Sequence, residues 1–145
     1  MSIPNPLEIQ RLLRSVGMGI KAFQDSNLLP YGLTNQQGRL VGFLLEREES
    51  GILLCQRDVE AELGLTGPSI TSLLQGLERK EFIVRRTKAT DARSKELFVT
   101  EKGRALVEEF KKVFLDTEEL VTRGFSPEER SVFVALLRRV AHNVE

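Results

Sequence analysis

Two helical patterns separated by a very short break constrain this chain more than any other feature. The first, Gln56 to Leu63, reads QRDVEAEL and places Val59, Ala61 and Leu63 for apolar contact. Gly64 then supplies the left-handed conformation that a sharp helical stop requires, and Leu65 follows it. Thr66 is a credible N-cap for a second helix running to about Lys80, and Pro68 is tolerated within its first turn. Ile70, Leu73, Leu74 and Leu77 form an inward stripe on that helix. Ser69, Thr71, Ser72, Gln75 and Gly76 fall mainly on the other face. Two β-rich strings follow, Phe82 to Arg86 and Glu96 to Val99, flanking the polar loop TKATDARSK. Helix, turn, helix and hairpin in this order make a winged helix-turn-helix, whose second helix and loop suit a DNA groove and its adjoining backbone.

Charge supports that reading locally although the whole chain is neutral, with 21 basic and 21 acidic residues. Arg79, Lys80, Arg85, Arg86, Lys88, Arg93 and Lys95 stand against only Glu81 and Asp91 in the segment from 79 to 95. From Leu29 to Glu78 the acidic residues dominate. Basic charge is thus focused on the hairpin, and a polyanion responds to that local field rather than to the protein total.

Amphipathic helices flank this segment. Leu7, Ile9, Leu12, Leu13, Val16, Ile20 and Phe23 recur at spacings of about three or four after Pro6. Gly17 and Gly19 weaken that helix by roughly 1 kcal/mol each. Leu28 to Leu33 reads as a loop rich in exposed apolar residues. Thr34 and Gln37 then form a capping box for a helix that ends in EREES and Gly51. Ile52-Leu53-Leu54 fits either a short strand joining the hairpin or a buried loop. After Thr100 a long helix carries Leu106, Val107, Phe110, Val113, Phe114, Leu120 and Val121, breaking at Arg123-Gly124. Ser126-Pro127-Glu128-Glu129 restarts a last helix, with Val132, Phe133, Leu136, Leu137, Val140 and Ala141 on its apolar side. So much apolar helix outside a small core fits burial either within the chain or against a second copy, which would set two reading helices on a palindromic site.

The remaining composition narrows the function classes. A chain of 145 residues with 41% apolar content forms one domain with a real core. No apolar run approaches the roughly eighteen residues of a membrane span, and no signal peptide is evident. One cysteine fits a reducing compartment, so the cytoplasm is the expected location. No catalytic spacing or phosphate loop appears, and the chain is not expected to be an enzyme or to need a cofactor. Cys55 reads as a small buried or capping residue rather than a redox sensor. His142 reads as a helix-surface or dimer-contact residue, and the two do not make a metal site.

Six strings, taken in order, carry a family resemblance: Leu33 to Gln37, Leu63 to Thr71, Leu77 to Ile83, Asp91 to Lys95, Leu97 to Gly103 and Gly124 to Glu129. Together they resemble the MarR family of winged-helix transcriptional regulators over nearly the whole length. The resemblance implies one mainly α-helical domain with a small β-hairpin wing. Residues 34–100 would form its DNA-binding lobe, and 7–28 and 101–144 its dimerisation helices. It further implies a homodimer on pseudo-palindromic double-stranded operator DNA, in many relatives a repressor released by a small aromatic or phenolic effector. The family's groove contacts fall on Ser69, Thr71 and Ser72, its minor-groove arginine on Arg93, and the carboxylate that steadies it on Asp91; Gln75, on the same helix face, would face the DNA beside them. Arg85, Arg86, Lys88, Arg93 and Lys95 would supply most of the affinity, in a salt-dependent manner. An effector pocket would draw on Phe23, Tyr31, Arg39 and Phe43, because rings around one cation suit an aromatic carboxylate.

Two departures bear on function. Ser72 stands where many relatives carry arginine or lysine, and the stretch from Gly67 to Gly76 has no charge. Direct reading through a bidentate guanine contact, worth roughly 1–3 kcal/mol, is therefore missing. Specificity must come from hydroxyls, Gln75, thymine methyl contacts or DNA shape. Glu81 stands where relatives usually place glycine, a departure that costs some turn strain without abolishing the fold. A protein-binding adaptor that kept the dimer but lost operator reading is the rival expectation, and an activator fits the same residues as a repressor.

Overall fold

A computed structural model describes residues 5–88 and 91–145, and for Lys88 and residues 91–94 the backbone alone. Among these residues lie six α-helices and a three-stranded sheet. Helix α1 spans Glu8–Leu28 and α2 spans Asn35–Glu49, with a short 3-10 turn at Leu29–Tyr31 between them. Strand β1 is Leu54–Cys55, α3 is Gln56–Leu63, α4 is Gly67–Arg79, β2 is Ile83–Lys88 and β3 is Asp91–Val99. Helices α5, Glu101–Val121, and α6, Pro127–Val144, complete the chain.

Local signals set most of these boundaries. Thr34 accepts from the Gln37 N–H at 3.2 Å while Gln37 Oε1 accepts from the Thr34 N–H at 3.3 Å, a reciprocal cap on α2. Ser126 and Glu129 repeat the arrangement on α6. Gly64 ends α3 at φ 63°. Two expectations change in detail. Thr66 occupies the N-cap position of α4, but its hydroxyl makes no cap bond and instead donates to Ser69 Oγ at 3.1 Å. The segment from Leu28 to Leu33 is not an exposed apolar loop: Leu28 and Leu33 are buried, and Leu29 alone of its leucines points outward.

The sheet order is β1-β3-β2, antiparallel throughout. Leu54 pairs with Leu97 and Cys55 with Glu96, so the end of the Ile52–Leu54 segment does join the hairpin as a strand, while Ile52 and Leu53 stay exposed. The hairpin itself is longer than expected. Thr87 pairs with Lys95, and a register shift between Thr87 and Lys88 precedes the last pair, Lys88 with Asp91. Backbone ladder bonds carry this extension, so no apolar alternation marks it in the sequence.

One core unites the lobe. Leu40, Val41, Leu44, Val59, Ile70, Leu74, Leu77, Ile83 and Leu97 are buried together with Phe110 of α5. Each such side chain contributes roughly 1.5–3 kcal/mol relative to exposure. Helix α5 therefore belongs to the core of the lobe as well as to the flanking helices. Gln24 Nε2 of α1 donates to Thr117 Oγ1 at 3.2 Å, satisfying two buried polar groups where α1 crosses α5.

At the lobe's base α5 starts hard against the sheet. Gly103 is buried, and a methyl there would strike the Phe82 carbonyl and lie 2.9 Å from Val99 Cγ1. Glu81, just before β2, sits at φ 63°, a strained position for a side chain, and its carbonyl accepts from Thr100 Oγ1 at 2.7 Å. The turn strain expected of Glu81 is thus present.

Candidate nucleic-acid interface

Burial of Ile70, Leu74 and Leu77 turns the opposite side of α4 outward. Ser69, Ser72 and Gln75 are exposed along it. Thr71 and Gly76 depart from the expected face. Thr71 is half-buried; its hydroxyl donates to the Gly67 carbonyl at 2.9 Å and accepts from Gln56 Nε2 at 2.7 Å. Gly76 is buried against α2, where a Cβ would come 2.9 Å from Gln37 Nε2. Helical spacing alone missed both because each lies at the edge of the apolar stripe, and the neighbouring helix decides which way such an edge turns.

The basic residues also divide. Arg86 is exposed on β2, with its guanidinium carbon 4.9 Å from the centre of the Phe98 ring on the neighbouring strand, which lays the side chain across the face of the hairpin. Lys95 is exposed on β3. The side chains of Lys88, Asp91 and Arg93 lie outside the described residues. Arg85 differs from expectation: it turns back into the lobe. Its Nε donates to Glu78 Oε1 at 2.6 Å and its Nη1 to Gln56 Oε1 at 3.0 Å, and only 22% of the side chain is exposed. These bonds engage two of its three guanidinium nitrogens inside the lobe. Arg79, at the end of α4, and Arg57, on α3, are exposed cations that sequence reasoning did not single out as contacts. Lys80 is turned inward, donating to the Gly32 carbonyl and to Gln37 Oε1 at 3.3 Å.

The four residues expected around an effector are not gathered in one place. Arg39 and Phe43 share a cavity of about 460 Å³ between α2 and α5 with Phe110, Lys111 and Phe114. Phe23 lines a different cleft, of about 530 Å³, beside Asp116, Glu119, Arg123 and Phe125. Tyr31 packs edge-on against Phe110 at 6.2 Å and lines neither. Successive turns of α1 and the 3-10 segment point to different sides of α5, a separation that residue type does not reveal.

Cys55 is half-buried at the N-cap of α3, where Asp58 Oδ2 accepts from its N–H at 2.9 Å and lies 3.2 Å from its sulfur. His142 is exposed near the C-terminus, 3.7 Å from Glu145. On α1, the Lys21 ammonium and then the Asn35 N–H hold the Asp25 carboxyl below the usual aspartate range. Among the described residues no helix is long and apolar enough to cross a membrane.

Comparison with known proteins agrees with this geometry. The MarR family profile matches residues 31–94, from the end of the 3-10 turn to the wing. A crystal structure of Staphylococcus aureus MepR in complex with DNA is 33% identical, with a TM-score of 0.86 over 92% of this chain and 96% of that one. A Clostridium acetobutylicum protein assigned to the MarR transcriptional regulators is 39% identical over 94% of this chain and 98% of its own, with a TM-score of 0.62. MarR itself, at 24% identity, shares the fold, with a TM-score of 0.79 over 99% of this chain and 95% of that one. The chain belongs to the MarR family of DNA-binding, winged helix-turn-helix transcriptional regulators. Regulators of this family are not enzymes.

Proposed function

We propose that this regulator acts as a homodimer on a pseudo-palindromic operator in the cytoplasm, as a repressor released by a small aromatic anion. The observation that carries the reading is the joint exposure of the uncharged α4 face and of the apolar stripes on α1 and α6. Two copies joined through α1 and α6 would present two α4 helices to successive major grooves, as palindromic sites require. The MepR structure in complex with DNA, so similar in chain path, supports this division of labour.

Within it, Ser69, Ser72 and Gln75 meet base edges, while Thr71 steadies α4 from behind. Arg86, Lys88 and Lys95 meet phosphates. Arg93 enters the minor groove, with Asp91 steadying it. Residues 34–100 form the DNA-binding lobe, and 7–28 with 101–144 carry dimerisation. For the effector, the α2–α5 cavity is the better candidate. Arg39 and Lys111 there flank Phe43, Phe110 and Phe114, a setting for an aromatic carboxylate, and Gly42 leaves room that a Cβ would find empty.

Selection of bound fragments from genomic DNA, repeated with Arg93→Ala, tests the operator reading. A reproducible palindrome lost in the variant is the expected result. Failure to enrich any sequence at moderate salt would favour a protein-binding adaptor instead, the reading that the uncharged α4 face supports. Gly42→Leu should fill the cavity and make operator binding indifferent to aromatic carboxylates such as salicylate; release that persists in this variant would place the effector elsewhere.

A further inference from the structure

Arg85 is the centre of a polar chain that joins three elements of the lobe. From β2 it donates to Glu78 of α4 and to Gln56 of α3. With its carbonyl oxygen engaged, the Gln56 amide turns its nitrogen to Thr71 of α4 at 2.7 Å and to Glu60 of α3 at 3.2 Å. The Thr71 hydroxyl then closes on the Gly67 carbonyl in the first turn of α4. The chain therefore grips α4 at both ends, at Thr71 near its start and Glu78 near its finish, and ties both to the first half of the wing. Glu78 is 35% exposed and Arg85 22%, so water screens the pair only in part.

The geometry points to Arg85 and Gln56 as positioning residues that fix the angle between the reading helix and the wing. This inference rests on the reading above in which both elements meet DNA. Two binding elements held rigidly at the right spacing act with a high effective concentration, so the second contact follows the first at little further entropic cost. A reading face without charge from Gly67 to Gly76 depends on this more than a charged one would. Its hydroxyl and amide contacts are short-ranged, and they form only when the wing's phosphate contacts hold α4 at the proper depth. Arg85 thus adds to specificity without touching the DNA.

Charge and position make opposite predictions for Glu78. Removing a carboxylate near the duplex should tighten binding if long-range electrostatics were its only influence. Loss of the brace should weaken selective binding. The experiment compares full-length wild type with Arg85→Gln, Glu78→Gln, Gln56→Ala and, as a phosphate-contact control, Arg86→Gln. Each is titrated with the palindromic fragment recovered by selection and with a mixed-sequence duplex of equal length, over a range of salt. Hydrogen exchange of the free proteins is followed in α4 and the hairpin.

The expected result is that Arg85→Gln, Glu78→Gln and Gln56→Ala each lower the palindrome-to-mixed affinity ratio by roughly tenfold or more. Their salt slope on the mixed duplex should match wild type, while Arg86→Gln loses about 1.8 of slope, roughly 0.9 for the one phosphate contact of each protomer in the dimer. Exchange should rise in α4 and the hairpin together. A slope loss in Arg85→Gln equal to that in Arg86→Gln would overturn the inference, because Arg85 would then be a phosphate contact. Tighter, equally selective binding by Glu78→Gln, or unchanged exchange in all three variants, would overturn it as well. If the wild type binds neither duplex, the DNA-binding reading fails and the role given to the brace falls with it. Exchange would still report whether the brace couples α4 to the wing.

Discussion

The winged lobe and the last helix are built on opposite terms. In the lobe, α2, α4 and the sheet close over one another, and Leu40, Ile70, Leu74 and Leu77 are completely removed from water. Helix α6 buries none of its residues; Val132, Leu136, Leu137 and Val140 remain exposed, as do Leu12 and Leu13 of α1. What forms α6 is local: a reciprocal Ser126–Glu129 cap, Pro127 in the first turn and two glutamates at the positive end of the helix dipole. Its surroundings include the Phe125–Phe133 ring contact at 5.6 Å and, toward α5, Arg130 near Glu118 and Glu119. A helix can thus be specified fully by its ends while its apolar side waits for another surface. The lobe is complete alone; α6 and the first half of α1 are not.

Breaking this contrast at the exposed face should have the largest effect. Leu12→Glu combined with Leu136→Glu should yield a monomer by sedimentation while leaving the lobe's helical content and melting cooperativity in place. Operator affinity should fall by about a hundredfold or more as the two-site advantage is lost. A dimer that persists would remove the case for α1 and α6 as the joining surface. Within the lobe, Leu74→Ala should destabilise by roughly 2–5 kcal/mol in denaturant titration. Leu137→Ala, an exposed position of α6 studied in the monomeric background, should cost less than about 1 kcal/mol, because it vacates no cavity. Similar losses at both positions would mean that α6 is packed after all.

Smaller effects sharpen the picture at the junctions. Glu81→Gly should stabilise the lobe by about 1 kcal/mol by relieving the left-handed backbone at φ 63°, read as a higher denaturation midpoint with an unchanged slope. Asp25→Asn should show the least. The depressed pKa of Asp25 means that its ionised form is favoured by folding, so its contribution is fully present above the unfolded value of about 4. It is lost as pH falls through the still lower folded value. The difference in melting temperature between wild type and variant should therefore be greatest near neutrality and close as pH drops below about 4. A gap that widens in acid would reverse the assigned sign.

Features written in adjacent residues were readable from the sequence. The caps at Thr34 and Ser126, the turn at Gly64 and the strain at Glu81 each depend on a few neighbouring positions, and each stands as expected. The candidate site was only partly readable. Ser69, Ser72, Gln75, Arg86 and Lys95 are exposed, but Arg85 turns inward because the fold sets β2 within reach of α3, bringing Gln56 to it across 29 residues of sequence. Thr71 and Gly76 turn inward for a similar reason, each meeting another helix at the stripe's edge. The dispersal of Phe23, Tyr31, Arg39 and Phe43 around α5 is likewise a property of packing, which spacing along one helix does not encode.

The bond from Asp25 to the first turn of α2 has a consequence for the order of assembly. Its carboxylate accepts the Asn35 N–H at 2.8 Å across ten residues, closing the corner between α1 and α2. Loops of that length close in roughly 10–100 ns, whereas β1 must find β3 from Leu54 to Leu97, a far longer and entropically dearer search. The α1–α2 corner is thus a natural early structure in folding. The hairpin of β2 and β3 is itself local, so the late step is the closing of β1 onto it, and the corner between α1 and α2 precedes the complete three-stranded sheet.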